Sequence, residues 1–572
     1  MFLPITRKEM DELGWDACDV ILVTGDTYID SPYFGTAIIG KVLLQAGYRV
    51  GIIPQPGIDN DDIMRLGEPR LFWGVSSGCV DSMVSNYTPM NKKRMEDDLT
   101  PGGVNNRRPD RALISYTSLI RSRYKKTVPV VLGGIDASLR RIAHYDCWDN
   151  KVRRSVLFDA KADYLLYGMG EHSIVECADA LRSHGDIRPV KGVSYISSEP
   201  VDEYISLPSF EEASADKDRF TEMFRLFNAN CDPVTAKGLV QKHGDRYLVQ
   251  NPPQMPLSSE ELDDVYELDF EYGPHPLCLA EGRIRALETI QFSVTTHRGC
   301  YGECSFCAIS MHQGRTVMSR SEDSVVREIE RFKKMPSFKG IIYDLGGPTA
   351  NMYGFECDKK MTRGACRNKR CLYPAVCHSL NVSHTRQVNL LKRVRSLPGI
   401  KKVFVASGIR YDLIFADKNG ESYFREIVNH HISGQMKVAP EHTKGRILQL
   451  MGKPPKQMLT RFKKLFDQLN AESGKKQFLT YYFIAAHPGC TMDDMLSLSA
   501  FARQELHTRP EQVQIFTPTP STWSTLMYYT GKDPWTGEDL FVEKDRGRKD
   551  AQKKALKEPL AAHGIHPYKK KR

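Results

Sequence analysis

Residues 297–307 read HRGCYGECSFC. Cys300, Cys304 and Cys307 are spaced C-x3-C-x2-C, so one short loop offers three thiolates. Thiolates are soft ligands suited to an iron–sulfur centre. A cubane takes four ligands, and a loop that supplies three leaves one iron open to a further ligand. The other reading is a zinc site, which would need a fourth ligand such as His297 or His312. An apolar run at 290–295 precedes the loop and reads as a strand, which puts the thiols at a strand's carboxyl end.

Downstream, apolar runs at 341–345, 402–406, 436–439, 479–484 and 513–516 alternate with helical stretches such as 321–334, 412–429 and 457–469. With 290–295 they make six units and predict a parallel barrel or partial barrel over 286–540. Such barrels place their chemistry beyond the carboxyl ends of the strands. Those positions hold Gly346-Gly347-Pro348-Thr349, Ser407-Gly408-Ile409-Arg410, Glu441-His442 and His487-Pro488-Gly489. A Gly-Gly turn lets backbone groups approach a ligand closely. A hydroxyl at Ser407 suits a ribose or carboxylate, and the fork of Arg410 suits a carboxylate. Glu441, His442 and His487 are acid–base candidates, with hydrogen-bonded structural histidines as the alternative. An insertion at 351–383 carries Cys357, Cys366, Cys371 and Cys377 among six Lys and Arg residues at 359–370. Its x8, x4 and x5 spacings match no standard zinc knuckle, so it reads as a second iron–sulfur or zinc site, or as free thiols.

Upstream, apolar runs at 18–24, 48–53, 71–76, 128–132 and 163–167 read as strands, and 35–46 as a helix ended by Gly47. This alternation predicts a doubly wound α/β domain over 1–185. Residues 186–285 are more polar and include a Pro-rich stretch, which reads as a connector with one small subdomain. The chain has 572 residues and a net charge of +10. Residues 541–572 hold eleven Lys/Arg against four Asp/Glu, while the other 540 hold 69 against 66. The excess is therefore a basic tail, expected to be disordered, which would attract RNA non-specifically. No apolar run reaches the ~18 residues that span a bilayer, and the first residues turn charged too early for a secretory leader. The cytoplasm is the expected compartment, and fourteen cysteines there point to metal or redox chemistry rather than disulfides.

The triplet, with Phe306 next to its last cysteine, resembles that of the radical S-adenosylmethionine (SAM) superfamily. The run QFSVTTHRGCYGECSFCAISMHQGR at 291–315 is similar to the YgiQ-like family within it, and the resemblance covers nearly the whole chain. It implies a [4Fe–4S] cluster on Cys300, Cys304 and Cys307, with SAM held by Phe306, Gly346, Gly347, Ser407, Arg410 and Glu441. Pro348 stands where the superfamily's Gly-Gly-Glu motif has an acid. The implied reaction is reductive cleavage of SAM to a 5′-deoxyadenosyl radical, fed by a flavodoxin- or ferredoxin-like donor. No substrate is implied. A methylthiotransferase-like RNA-modifying enzyme and a non-catalytic iron–sulfur or zinc protein stand as alternatives. The turns at Gly133-Gly134 and Gly168-Met169-Gly170 resemble a cobalamin-binding-like domain. The chain lacks the D-x-H-x-x-G signature, which argues against cobalamin held through that histidine. If the insertion holds a second metal, replacing Cys371 and Cys377 together by alanine should lower the iron or zinc bound per chain; unchanged metal content would remove that site.

Overall fold

The computed structural model describes residues 1–557. Five apolar runs form the strands β1 (Val20–Thr24), β2 (Val50–Pro54), β3 (Phe72–Ser76), β4 (Val130–Gly133) and β5 (Tyr164–Leu166). Every residue of β1, VILVT, is buried, as in a strand covered on both faces. The order β2-β1-β3-β4-β5, parallel throughout, is a doubly wound arrangement that reverses direction at β1. The crossover helix Gly35–Gln45 stops where Gly47 takes φ 86°, a left-handed conformation that glycine adopts at low cost.

Residues 186–285 are not a connector. They supply β6 (Val193–Ser197), β7 (Ile205–Leu207), β8 (Leu239–His243) and β9 (Arg246–Gln250), which extend the same sheet beyond β5. The pairs β5/β6, β6/β9 and β9/β8 are antiparallel. This sheet belongs to a compact unit made of Met1–Ser293, Ala308–Lys334 and Thr362–Arg367. The helix Glu322–Phe332, within the span expected to be barrel, therefore belongs here. Its anchor is Arg320, fully buried, paired with Glu328 at 2.5 Å and lying 4.1 Å over the Tyr266 ring.

Doubly wound sheets take ligands beyond the carboxyl ends of their strands, where the strand order reverses. Here that crevice holds the chain's own charges. Arg108, wholly buried, bridges Asp26 at 2.5 Å and Asp97 at 3.3 Å. A Cβ on Gly78 would collide with the Asp26 carboxylate. Nearby in sequence, Arg140 likewise pairs with Asp81 and Asp136.

The second unit comprises Val294–Cys307, Met335–Met361 and the described residues from Asn368 onward. All six expected strands form: Ser293–Thr295, Ile341–Ile342 continued by Asp344–Gly346, Lys402–Val403, Gln435–Glu441, Phe478–Ala485 and Gln512–Ile515. They pair in chain order, the third and fourth through a parallel bridge between Ile409 and Val438. The result is an open, partial (β/α)6 barrel.

The tail departs from expectation over Arg546–Lys557, which is a helix with Ala555 and Leu556 buried. Its Gln552 spans the turn after the fifth barrel strand, accepting from the Ala486 N–H (2.9 Å) and donating to the Cys490 carbonyl (3.3 Å). The basic run at 569–572 lies outside the described residues. Among the described residues, no helix is long and apolar enough to cross a membrane.

Removing one partner of a buried ion pair leaves the other charge uncompensated. Arg108→Met should therefore lower unfolding stability by about 3–5 kcal/mol in a denaturant titration, and a loss below about 1 kcal/mol would show that this bridge does not hold the strand ends together.

Candidate metal centre

The loop is held from its first residue. His297 is fully buried, and its Nε2 donates to the Thr349 carbonyl (3.0 Å), leaving Nδ1 to accept from the Thr296 hydroxyl (2.8 Å). Burial pulls its pKa down to about 4, so the ring is neutral near pH 7. The imidazole is pressed against the turn after the second strand: a Cβ on Gly347 would lie 2.6–2.9 Å from its ring atoms. Position 347 therefore requires glycine.

Gly299 at φ 81° and Glu303 at φ 44° coil the loop through left-handed backbone. The Gly302 N–H donates to Cys300 Sγ (3.3 Å), and the Cys307 N–H to the Cys304 carbonyl (3.0 Å). The point where a Gly302 Cβ would sit is 3.2 Å from Cys300 Sγ, 3.6 Å from Cys304 Sγ and 3.1 Å from Arg410 Nη1. Two of the three sulfurs and a guanidinium thus converge beside a residue with no side chain. Ser305 ties the loop down, its N–H donating to the Met451 carbonyl and its carbonyl accepting from the Ser524 N–H, each at 2.9 Å.

Arg410 is buried, and its Nε and Nη2 bind Asp412 at 3.0 and 2.5 Å. Nη1 points at Cys304 Sγ, 3.6 Å away. Burial works against the cation, but Asp412 and the cysteines outweigh it and the Arg410 pKa rises. Asn351 grips the Arg410 backbone on both sides, accepting from its N–H (2.8 Å) and donating to its carbonyl (2.9 Å). Asn351 also meets His384 (3.3 Å), which Asp417 holds at 2.8 Å. None of Asn351, Asp412, His384 and Asp417 stands out in the sequence, because no spacing marks a side chain that reaches across strand ends.

The other expected residues fall as follows. The Ser407 hydroxyl donates to Asp344, whose other oxygen accepts from the Ala406 N–H (2.8 Å) and the Ser407 N–H (3.1 Å). Phe306, half-buried, lies edge-on to His487 with ring centroids 6.4 Å apart. Glu441 takes φ 66° and is buried, with Lys453 Nζ 3.6 Å from its carboxylate. Burial pushes its pKa up, against the pull of Lys453. His442 and His487 are structural: Lys444 N–H donates to His442 Nδ1 (3.0 Å), and His487 joins the Pro488 carbonyl (2.8 Å) to the Ser524 hydroxyl (2.7 Å). Burial lowers their pKa values to about 3 and about 4.

None of the fourteen cysteines is joined in a disulfide. Three of them on one loop, with a backbone N–H aimed at Cys300, are a donor set that fits an iron–sulfur cluster. Burial, with Cys304 alongside, raises the Cys300 pKa, so a metal must displace its proton. Among the described residues, no three His, Cys, Asp or Glu side chains stand in a closed ligand set. In the insertion, Cys366 is exposed and falls with the first unit, where the Ala365 N–H donates to Asp232 (3.0 Å). Cys357, Cys371 and Cys377 fall with the second. Lys360 Nζ is 3.6 Å from Cys371 Sγ, and burial pushes that thiol up to about 11. The insertion grips the triplet loop at two places: Lys360 lies 5.3 Å over the Tyr301 ring, and Arg370 donates to the Ser305 hydroxyl (3.2 Å).

A family model described as radical SAM N-terminal matches residues 2–293. A UPF0313 protein of Fusobacterium nucleatum is 58% identical over 560 residues, covering 97% of this chain and 99% of the relative. One from Clostridium perfringens is 50% identical, covering 97% and 84%. One from Methanocella arvoryzae is 48% identical, covering 94% and 90%. Among solved structures, the chain is similar to the radical SAM methyltransferase TsrM of Kitasatospora setae with cobalamin and a [4Fe–4S] cluster bound, at TM-score 0.48 and 14% identity, covering 89% and 77%. It is also similar to the cobalamin-dependent SAM radical enzyme OxsB, at TM-score 0.47 and 12% identity, covering 90% and 55%.

The contact between position 347 and His297 makes a direct prediction. Gly347→Ala should destabilise the second unit by about 1–3 kcal/mol through overpacking against a buried ring. Pairing it with His297→Ala should restore part of that loss; a double variant no more stable than Gly347→Ala would show that the imidazole is not the obstacle.

Proposed function

Since this chain belongs to the radical SAM superfamily, within the family of its UPF0313 relatives, we propose that it is an enzyme that holds a [4Fe–4S] cluster on Cys300, Cys304 and Cys307 and cleaves SAM reductively. The observation that carries the reading is the convergence of the Cys300 and Cys304 sulfurs beside Gly302, at the carboxyl end of the first barrel strand. When bound, the cluster supplies one electron that breaks a sulfonium C–S bond of SAM, giving methionine and a 5′-deoxyadenosyl radical that takes hydrogen from a substrate. The electron comes from a small low-potential donor of the flavodoxin or ferredoxin type.

The chain's own residues have separate tasks in this reading. Cys300, Cys304 and Cys307 give up their protons to become ligands, and the Gly302 N–H favours the Cys300 thiolate. Gly346 and Gly347 form the turn beside the loop where, as the superfamily's Gly-Gly motif implies, the SAM amino group is received. His297, neutral and locked between Thr296 and Thr349, fixes that turn. His487, fully buried, packs edge-on against Phe306 and supports that side of the loop. Ser407 acts through Asp344, so its hydroxyl orders the strand end.

The test is SAM cleavage by anaerobically reconstituted, dithionite-reduced protein, read as 5′-deoxyadenosine. Wild type should form it, and Cys304→Ala should fall by about a hundredfold or more. Equal product from the two proteins would overturn the reading. So would no product from wild-type protein shown to carry its cluster and bind SAM.

A further inference from the structure

We infer that Arg410 sets the reduction potential of the centre through Cys304 and is not the fork that holds the SAM carboxylate. The inference rests on the cluster assignment above and adds a role to one residue of that site. A guanidinium recognises a carboxylate by presenting two parallel N–H groups. In Arg410 that pairing is already made: Nε is 3.0 and 3.2 Å from the two Asp412 oxygens, and Nη2 is 2.5 Å from one of them. Asp412 is 2% exposed, so it has no solvent to turn to if Arg410 leaves. The backbone is equally fixed, because the Asn351 amide bonds both the N–H and the carbonyl of Arg410. The Asp412 pairing occupies the side-on edge of the fork; on the remaining end-on edge Nη1 faces sulfur, 3.6 Å from Cys304 Sγ and 3.1 Å from the vacant Cβ position of Gly302, beside which Cys300 Sγ also lies.

An N–H donor and a positive charge directed at a ligand sulfur favour the reduced, more negative state of a cluster and raise its potential. Asp412 opposes this, since its charge partly cancels the cation. The pair therefore acts as a setting with two handles of opposite sign. Removing the guanidinium takes away the donor and leaves Asp412 unbalanced, so both effects make reduction harder. Removing the carboxylate leaves the cation unopposed and makes reduction easier.

The experiment is an EPR-monitored redox titration of the reconstituted holoprotein, with iron content and SAM binding measured on the same samples. Arg410→Gln should shift the reduction equilibrium at least tenfold against the reduced cluster, about 59 mV more negative for one electron. Its Kd for SAM should stay within about threefold of wild type, because the fork was never offered to SAM. Asp412→Asn should move the midpoint the other way, and Arg410→Lys should stay nearer to wild type than Arg410→Gln. Should Arg410→Gln lose iron, Asp412→Asn carries the test through its opposite sign. A normal cluster with an unmoved midpoint in Asp412→Asn or Arg410→Gln overturns the inference alone. So does a tenfold loss of SAM affinity in Arg410→Gln at constant midpoint. A wild type that assembles no cluster overturns the parent reading and this inference with it.

Discussion

A guanidinium buried beside two cysteine sulfurs constrains everything around it. Arg410 cannot stay charged and out of water without Asp412, and Asp412 cannot stay buried without Arg410. Held in this way, Arg410 sets the end of the third barrel strand against the loop that follows the first, with Nη1 3.6 Å from Cys304 Sγ. Asn351 then fixes the second strand's exit to the third through the Arg410 backbone, and His384 with Asp417 ties Asn351 to the surrounding helices. The triplet loop is thus built on strand ends that cannot slide independently. Such rigidity is what a site needs when its ligands lie on a loop rather than on a strand.

Close packing sets the second condition. The chain places residues without side chains where atoms must meet: Gly347 against the His297 ring, and Gly302 between sulfurs and guanidinium. The histidines at the strand ends, which by residue type alone are acid–base candidates, serve as uncharged struts. Burial keeps His297, His442 and His487 neutral near pH 7; His297 and His487 spend their ring nitrogens on carbonyl and hydroxyl partners, and His442 on the Lys444 N–H and the Cys490 thiol. The insertion adds a third hold, gripping the loop at Tyr301 and Ser305 from outside the barrel.

Where a strand buries an apolar face, the sequence shows it plainly, and β1 to β5 and the six barrel strands are of that kind. The strands of residues 186–285 are hidden because they bury polar groups. Gln241 and Gln250, each 1% exposed, occupy positions where alternation would call for apolar residues. Gln241 is matched by the Ala143 N–H and the Pro208 carbonyl, and Gln250 by Arg141. The helix Arg546–Lys557 is hidden for the same reason, since Lys549 and Gln552 share its buried face with Ala555 and Leu556. At the site, the three cysteines and Arg410 are legible from residue type and position. The partner that decides what Arg410 can do, Asp412, lies two residues away yet carries no signal, because a carboxylate at a helix start reads as an ordinary surface charge.

The chain passes between its two compact units five times, after residues 293, 307, 334, 361 and 367. The first passage coincides with the end of the matched amino-terminal family segment, which makes residue 293 look like a place to cut. Covalent order and folded order differ there. A fragment ending at 293 would lack Arg320 and Glu328, and Tyr266 would lose the cation lying on its ring. The apolar side of the helix Ser259–Glu267, with Leu262 and Val265, would lose the helix Glu322–Phe332 that packs on it. A dissection that respects the physics keeps 308–334 attached, so the halves of this protein are halves of a fold and not of a sequence.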